Sequence, residues 1–257
     1  MRFLLYNISY GAGVGRRLHF PFPYAGHLKL TGKNLGQIIQ FIKTVDADFI
    51  GLIEVDCGSF RSGNGNQAEI IAEELNHYHV FHSKYALTSM ANKVPVMKKQ
   101  GNAILINRRI ESQRFHYFEE GVKRLVIEVD LKDFTIFLVH LSLKFRHRQH
   151  QLHELYSILK GVSKPVIVAG DFNAFWGARE LELFLAATGL KSANGQGMPS
   201  YPSKSPRMQL DYIFHSPELC TTGFDIPPIL LSDHAPLIWD FELTCAEQTL
   251  KKATPSF

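Results

Sequence analysis

The sequence predicts an α/β fold in which sheets stack as a sandwich and helices cover their outer faces. Three observations carry this. Strand-like and helix-like segments alternate early in the chain. Strand-like segments then adjoin one another in the middle, which a simple doubly wound sheet does not do. Hydrophobic residues make up 45% of the 257 positions, enough for a large core.

Taken in order, Phe3-Leu4-Leu5-Tyr6 reads as a buried strand that ends near Asn7, followed by a Gly/Pro/aromatic loop over about 9–30. Leu35, Ile38, Ile39 and Ile42 recur at helical spacing and place one face of a helix over Asn34–Val45. Asp48–Glu54 reads as a strand that delivers a carboxylate at its end. Gln67–Asn76 is a short amphipathic helix, Val80-Phe81 a strand, and 84–100 a surface loop. Three strands follow, Asn102–Asn107, Val122–Leu131 and Phe134–Leu141, the last two joined by a turn at Lys132-Asp133. Arg146–Gly161 reads as a helix with Leu152, Leu155, Ile158 and Leu159 inward and Gly161 as its C-cap. Pro165–Ala169 is a strand running into Gly170-Asp171-Phe172-Asn173. Glu180–Thr188 is helical, Leu210–His215 and Ala235–Leu243 are the last strands, and 244–257 is a tail. Without a Pro/Ser linker, residues 1–243 are expected to form one domain.

Lys and Arg number 28 against 24 Asp and Glu, a net charge of +4. That excess permits a phosphate-bearing substrate without demanding nucleic acid. The charges come in blocks. Residues 1–45 carry basic residues and no acid, 46–82 are acidic, and 134–153 hold Lys144, Arg146, Arg148 and four His with no acid. Cys57, Cys220 and Cys245 are odd in number and far apart, which argues against a disulfide framework or a cysteine zinc site. No apolar run approaches the length of a membrane span, and the start MRFLLYNISY does not read as a secretory signal. A cytoplasmic location is therefore expected.

Polar residues recur at the ends of the apolar strands: Asn7, Glu54, His140, Asp171 with Asn173, Asp211, and Asp233 with His234. A strand end presents a polar group from a rigid scaffold. Asp171 and Asn173 fall on alternate positions, so both face one way if the chain there is extended. Gly170 before them allows a tight turn or close ligand approach. Ser232-Asp233-His234 sets a hard carboxylate ligand beside an imidazole base. Such an oxygen-rich set without cysteine suits Mg²⁺ or Mn²⁺ better than zinc. Two imidazoles suit an in-line displacement that needs a base for water and an acid for the leaving group.

Tyr6-Asn7-Ile8, Ile53-Glu54-Val55-Asp56, Val139-His140-Leu141-Ser142, Gly170-Asp171-Phe172-Asn173, Leu210-Asp211-Tyr212-Ile213 and Ser232-Asp233-His234 occur in the order of one family. In these motifs the chain resembles the endonuclease/exonuclease/phosphatase superfamily of DNase I-like, metal-dependent phosphohydrolases. The likeness covers about residues 2–243 and is nearest in look to bacterial members.

The resemblance implies a four-layer α/β sandwich, two mixed sheets flanked by helices. It implies that Glu54 binds Mg²⁺ or Mn²⁺ with Asn7 and Asp233 near it. Asp171 and Asn173 would position the attacking water and the phosphate. His234 would be the base-side imidazole, oriented by Asp211, and His140 the second imidazole. Arg124 begins the strand pair leading to His140, where several members place a phosphate-contacting Arg. Arg146, Arg148, Gln151 and Leu155 resemble the family's Arg-rich helix, for which a solvated amphipathic face is expected. The expected substrate is a phosphoester (nucleic acid, lipid headgroup or small molecule), the chain a monomer with no obligate protein partner. A nuclease, or a non-catalytic phosphoester-binding module, are the alternatives.

Overall fold

The computed structural model describes residues 1–14, 31–83 and 99–243. Most of the expected 9–30 loop, most of the 84–100 loop and the 244–257 tail lie outside these. In chain order the elements are β1 (Arg2–Asn7), α1 (Gly32–Val45), β2 (Phe49–Asp56), α2 (Gln67–Leu75), β3 (Tyr78–Ser83), β4 (Gln100–Ile106), β5 (Ser112–Tyr117) and β6 (Leu125–Asp130). There follow β7 (Thr135–His140), α3 (Phe145–Leu159), β8 (Val166–Asp171), α4 (Glu182–Thr188), β9 (Lys191–Ser192), β10 (Asp211–His215), β11 (Leu219–Asp225) and β12 (Leu237–Leu243).

The strands form two mixed six-stranded sheets, ordered β11-β12-β1-β2-β4-β3 and β5-β6-β7-β8-β10-β9. Alternation along the strands fixes the layers. Phe3 and Leu5 of β1 face Ile127, Ile136, Leu138 and Ile213 of the other sheet in a core between the sheets. Leu4 and Tyr6 face the opposite way, against Ile38, Ile39 and Ile42 of α1 and Ile71 of α2. On the far side, Val126, Phe137 and Val139 pack under Leu152 and Leu155 of α3 and Phe184 of α4. The result is a four-layer sandwich, helices–sheet–sheet–helices. No helix among the described residues is long and apolar enough to cross a membrane.

Several elements differ from the sequence expectation. β5, β9 and β11 form where none was expected. β5 and β11 bury little, because they are edge strands held by pairing with β6 and β12. The strand expected from Val122 begins at Leu125, since 118–124 form a loop closed by Phe118 N–H bonding the Arg124 carbonyl at 2.9 Å. Gly161 is not the C-cap of α3. Lys160 takes that place in right-handed geometry, and Gly161 N–H continues a tightened last turn to the Ile158 carbonyl at 3.3 Å. Glu180 lies in a 3₁₀ turn, Ala178–Leu181, ahead of α4.

The basic and acidic blocks meet at the base of the first sheet. Asp48 accepts from the Arg2 backbone N–H at 2.8 Å, from Asn107 at 3.0 Å and from Arg108 at 3.2 Å. Burial alone would raise the Asp48 pKa, but these donors outweigh it and hold it below its ordinary value. A depressed carboxylate stabilises the fold above its unfolded pKa, and that contribution is lost as pH falls through the folded value. Asp48→Asn is expected to lower the Tm by about 2–4 °C at neutral pH. Thermal melts across a pH series should show the difference shrinking below about pH 4.

Candidate active site

The second sheet builds half of the site by register. Parallel pairing sets His140 of β7 opposite Asp171 of β8, and antiparallel pairing sets Asp171 opposite Asp211 of β10. Lateral neighbours share a face, so three titratable side chains stand in a row at one end of the sheet. Gly170 makes this approach possible. A Cβ there would lie 1.9 Å from the Val139 carbonyl oxygen of β7, so the glycine serves the strand pairing itself.

The first sheet supplies Asn7 and Glu54. Asn7 ends β1, and its Nδ2 donates to Asp171 Oδ2 at 3.2 Å, which shows that the two sheet ends meet. Its Oδ1 accepts from the Ser9 N–H at 3.1 Å. Glu54 does not end its strand. β2 runs on to Asp56, and Glu54 sits in a bulge, where pairing with β4 shifts between Leu52 and Val55. Its φ of 58° is left-handed, and its N–H is taken by Asn102 Oδ1 at 3.2 Å. A bulge of this kind re-aims one side chain out of the ladder. Asp56 turns away from the site and caps the next loop, accepting from Ser59 N–H at 2.7 Å.

Asp171–Asn173 is not extended. Asn173 has φ 49°, and its N–H folds back onto Asp171 Oδ1 at 3.0 Å while its Nδ2 donates to the Leu141 carbonyl at 2.9 Å. The amide therefore ties the ends of β7 and β8 together. The two side chains reach one region through a turn and not through strand alternation.

His234 reaches the row from the loop before β12. Its Nδ1 bonds Asp211 Oδ2 at 2.8 Å, and its Nε2 lies 4.0 Å from Asp171 Oδ2. Ser200 Oγ donates to the same Asp211 oxygen at 2.6 Å, and the Tyr201 ring packs on the imidazole at 4.8 Å between centroids. Asp233 is anchored by its backbone, the carbonyl accepting from Ser203 N–H at 2.8 Å. Ser232 Oγ donates to the Asn7 carbonyl at 2.7 Å, binding this loop to β1.

His140 is fully buried. Its Nε2 lies 3.3 Å from Asp171 Oδ2 and also meets the Lys123 ammonium, which is 3.8 Å from Glu54 Oε1. No sequence motif marks Lys123. Gln151 of α3 holds it there, donating to the Lys123 carbonyl at 2.7 Å and the Glu120 carbonyl at 2.8 Å while accepting from Ser142 N–H at 2.9 Å. Arg124 is not brought into this group, because its Nε donates to the Phe118 carbonyl. Nor do Arg148 and Gln151 lie on a solvated helix face: both are buried, Arg148 against Glu180.

Charge follows from this packing. Burial and the Lys123 ammonium push the His140 pKa down to about 4, so the ring is neutral. Burial would raise the Asp171 pKa, but His140, His234 and Lys123 overcome it and keep the carboxylate ionised. Burial would lower the His234 pKa, but Asp211, Asp171 and Asp233 lift it to about 10. Asp211 is raised, chiefly by burial.

One group of carboxylates and imidazole among the described residues is compact enough to share an ion: Asp171, Asp211 and His234, with ligand atoms within 4.8 Å of one another. The wider donor set of Glu54, Asn7, Asn173 and Asp233 is all oxygen and suits a hard divalent cation. Two observations fit a cation here. Asp211 Oδ1 is buried without a hydrogen-bond partner, and the site already accommodates the Lys123 ammonium beside Glu54. That ammonium repels a second cation. Lys123→Met is expected to tighten Mn²⁺ binding about tenfold, measured by calorimetry without substrate.

A site of carboxylates, amides and imidazoles at the meeting ends of two sheets, suited to a divalent cation, defines the class, and comparison with known proteins gives the family. The sequence model of the Endonuclease/Exonuclease/phosphatase family matches residues 5–234, and the chain belongs to that family. Its members are typically phosphoester hydrolases and generally depend on divalent metal. A search of curated proteins finds no match. Among solved structures, an endonuclease/exonuclease/phosphatase family protein from Bacteroides thetaiotaomicron aligns with TM-score 0.71 at 15% identity, covering 96% of each chain. A mannosyl-6-phosphatase from the same organism aligns at 0.70 and 15%, covering 95% of this chain and all of that one. The human Nocturnin catalytic domain aligns at 0.68 and 22%, covering 95% and 94%. At these identities the likeness is one of fold.

Proposed function

We propose that the chain is a divalent-metal-dependent hydrolase that cleaves a phosphodiester or related phosphoester by in-line attack of water. The observation that carries this reading is the convergence of two imidazoles on one carboxylate. His140 Nε2 and His234 Nε2 face Asp171 Oδ2 at 3.3 and 4.0 Å, one from the end of β7 and one from the loop before β12. A displacement at phosphorus needs a proton acceptor on the water side and a donor toward the leaving or nonbridging oxygen, and two separated imidazoles meet that need.

Glu54, with Asn7 and Asp233, would hold Mg²⁺ or Mn²⁺, which would neutralise phosphate charge and lower the pKa of water. Asp171, with Asn173, orients the water and the phosphate. Asp211 fixes the His234 ring through Nδ1 and stabilises the imidazolium that forms when Nε2 takes the proton of the water, and a bound cation would offset the other carboxylates that raise this ring's pKa. Lys123 and His140 donate to the phosphate oxygens as negative charge develops there. Arg124 contributes through the loop that carries Lys123, as its guanidinium is engaged with the Phe118 carbonyl. The chain acts as a monomer.

A phosphoester panel with Mg²⁺ and Mn²⁺ tests the reading and sorts the substrate: plasmid, abasic duplex, single-stranded nucleic acid, sphingomyelin, phosphoinositides, nucleotides and hexose phosphates. The last arm is included because one fold neighbour is a mannosyl-6-phosphatase. Turnover of at least one compound, abolished by EDTA, is the expected result. Nicking of plasmid or abasic duplex would make the chain a nuclease. Tight binding without turnover under either ion would make it a phosphoester-binding module and overturn the hydrolase reading.

A further inference from the structure

Two segments leave the site side by side, residues 141–144 after β7, leading into α3, and 172–180 after β8. Arg148, buried between them, ties both down. It donates to the carbonyls of Ser142 at 3.1 Å and Leu143 at 2.6 Å, and its Nε donates to Glu180 Oε2 at 2.9 Å. Glu180 Oε1 in turn accepts from the Trp176 backbone N–H at 2.8 Å. The guanidinium carbon lies 5.8 Å from the Phe145 ring centroid and 5.9 Å from that of Phe175.

What this frame holds outward is apolar. Leu143 is 60% exposed, Phe145 51%, Phe175 40% and Trp176 78%, and the Phe145 and Trp176 rings stand 6.3 Å apart. Lys144, Arg146 and Arg179 interleave with them and are exposed. A contiguous apolar ledge, braced by a buried ion pair and rimmed by cations, marks a contact surface.

We propose that this ledge docks on an anionic lipid surface. The composition favours lipid over stacked bases. Leu143 has no π-face, and the Phe145 and Trp176 planes are tilted by 50° instead of forming a flat platform. Trp and Phe settle at the boundary between headgroups and acyl chains, and Lys and Arg beside them pair with headgroup phosphates. The ledge begins two or three residues beyond His140 and Asn173, so docking would turn the candidate site toward the bilayer surface. That consequence alone rests on the hydrolase reading. The binding does not.

The chain has two tryptophans, and Trp239 is fully buried, so a change in intrinsic fluorescence on adding vesicles reports Trp176. Vesicles of phosphatidylcholine with about 30% phosphatidylserine are expected to co-sediment the full chain and blue-shift its emission. Phe145→Ser with Trp176→Ser should lower partitioning at least about tenfold. Lys144→Glu with Arg146→Glu, which leaves the apolar side chains in place, should lower it on anionic vesicles as well. Asp171→Asn should bind like the wild type, which separates this surface from the hydrolase reading. Circular dichroism verifies the fold of each variant. No binding to anionic vesicles, binding unchanged in both double variants, or fluorescence that answers single-stranded oligonucleotide and not vesicles would overturn the proposal.

Discussion

Asp171→Asn is expected to lower phosphoester turnover at least about 1000-fold while leaving the chain folded. The side chain is nearly isosteric, so the row of His140, Asp171 and Asp211 keeps its spacing. What disappears is the negative charge toward which Asn7 Nδ2, His140 Nε2 and His234 Nε2 all converge. Without it, His234 loses one of the carboxylates that raise its pKa, and the water-orienting group becomes an amide. Steady-state kinetics with parallel thermal melts should show kcat collapsing in a variant that still melts cooperatively and well above the assay temperature. A variant with wild-type kcat would remove Asp171 from the chemistry.

The second large effect is on stability. Glu180→Ala leaves the Arg148 guanidinium buried, 1% exposed, with no carboxylate. Uncompensated burial of one charge costs about 3–5 kcal/mol, roughly 10 °C in Tm for a chain of this size. Arg148→Met with Glu180→Leu removes both charges and should recover most of the loss, because apolar replacement of a buried pair is close to neutral. Denaturant titration of the single and double variants measures both. If Glu180→Ala unfolds like the wild type, the pair is not the brace that joins the loops after β7 and β8.

Both effects lie along the boundary between what the sequence reveals and what it hides. Strands buried on both faces were legible because their apolar runs are continuous, as in Phe3–Tyr6 and the Pro165–Ala169 segment that became β8. The helix at 32–45 was legible from the spacing of Leu35, Ile38, Ile39 and Ile42. β5, Ser-Gln-Arg-Phe-His-Tyr, was not, because an edge strand exposes most of its side chains and gains its form from pairing with β6. The same holds for β11.

Within the site, residue types at strand ends were visible and geometry was not. Glu54 and Asn173 adopt positive φ because a bulge and a turn impose it, and both depend on partners far away in sequence, Asn102 and Leu141. Lys123 and Arg124 are adjacent, and only the loop held by Gln151 settles which of them meets His140. Arg148 looked solvated because its neighbours on the helix are polar. Its partner Glu180 lies 32 residues away, beyond any local pattern. The signal that was available is a basic residue one helical turn before apolar Leu152, on the inward face.

The central claim, that the carboxylate- and imidazole-lined meeting point of the two sheets hydrolyses phosphoesters with a divalent ion, is tested most directly by returning ions to EDTA-stripped protein with bis-p-nitrophenyl phosphate as substrate. The account predicts no release of p-nitrophenol without ion, release on adding Mg²⁺ or Mn²⁺, and loss of that release in Glu54→Ala, Asp171→Asn and His234→Ala. Undiminished rates in all three variants, or no turnover of any phosphoester with either ion, would contradict it.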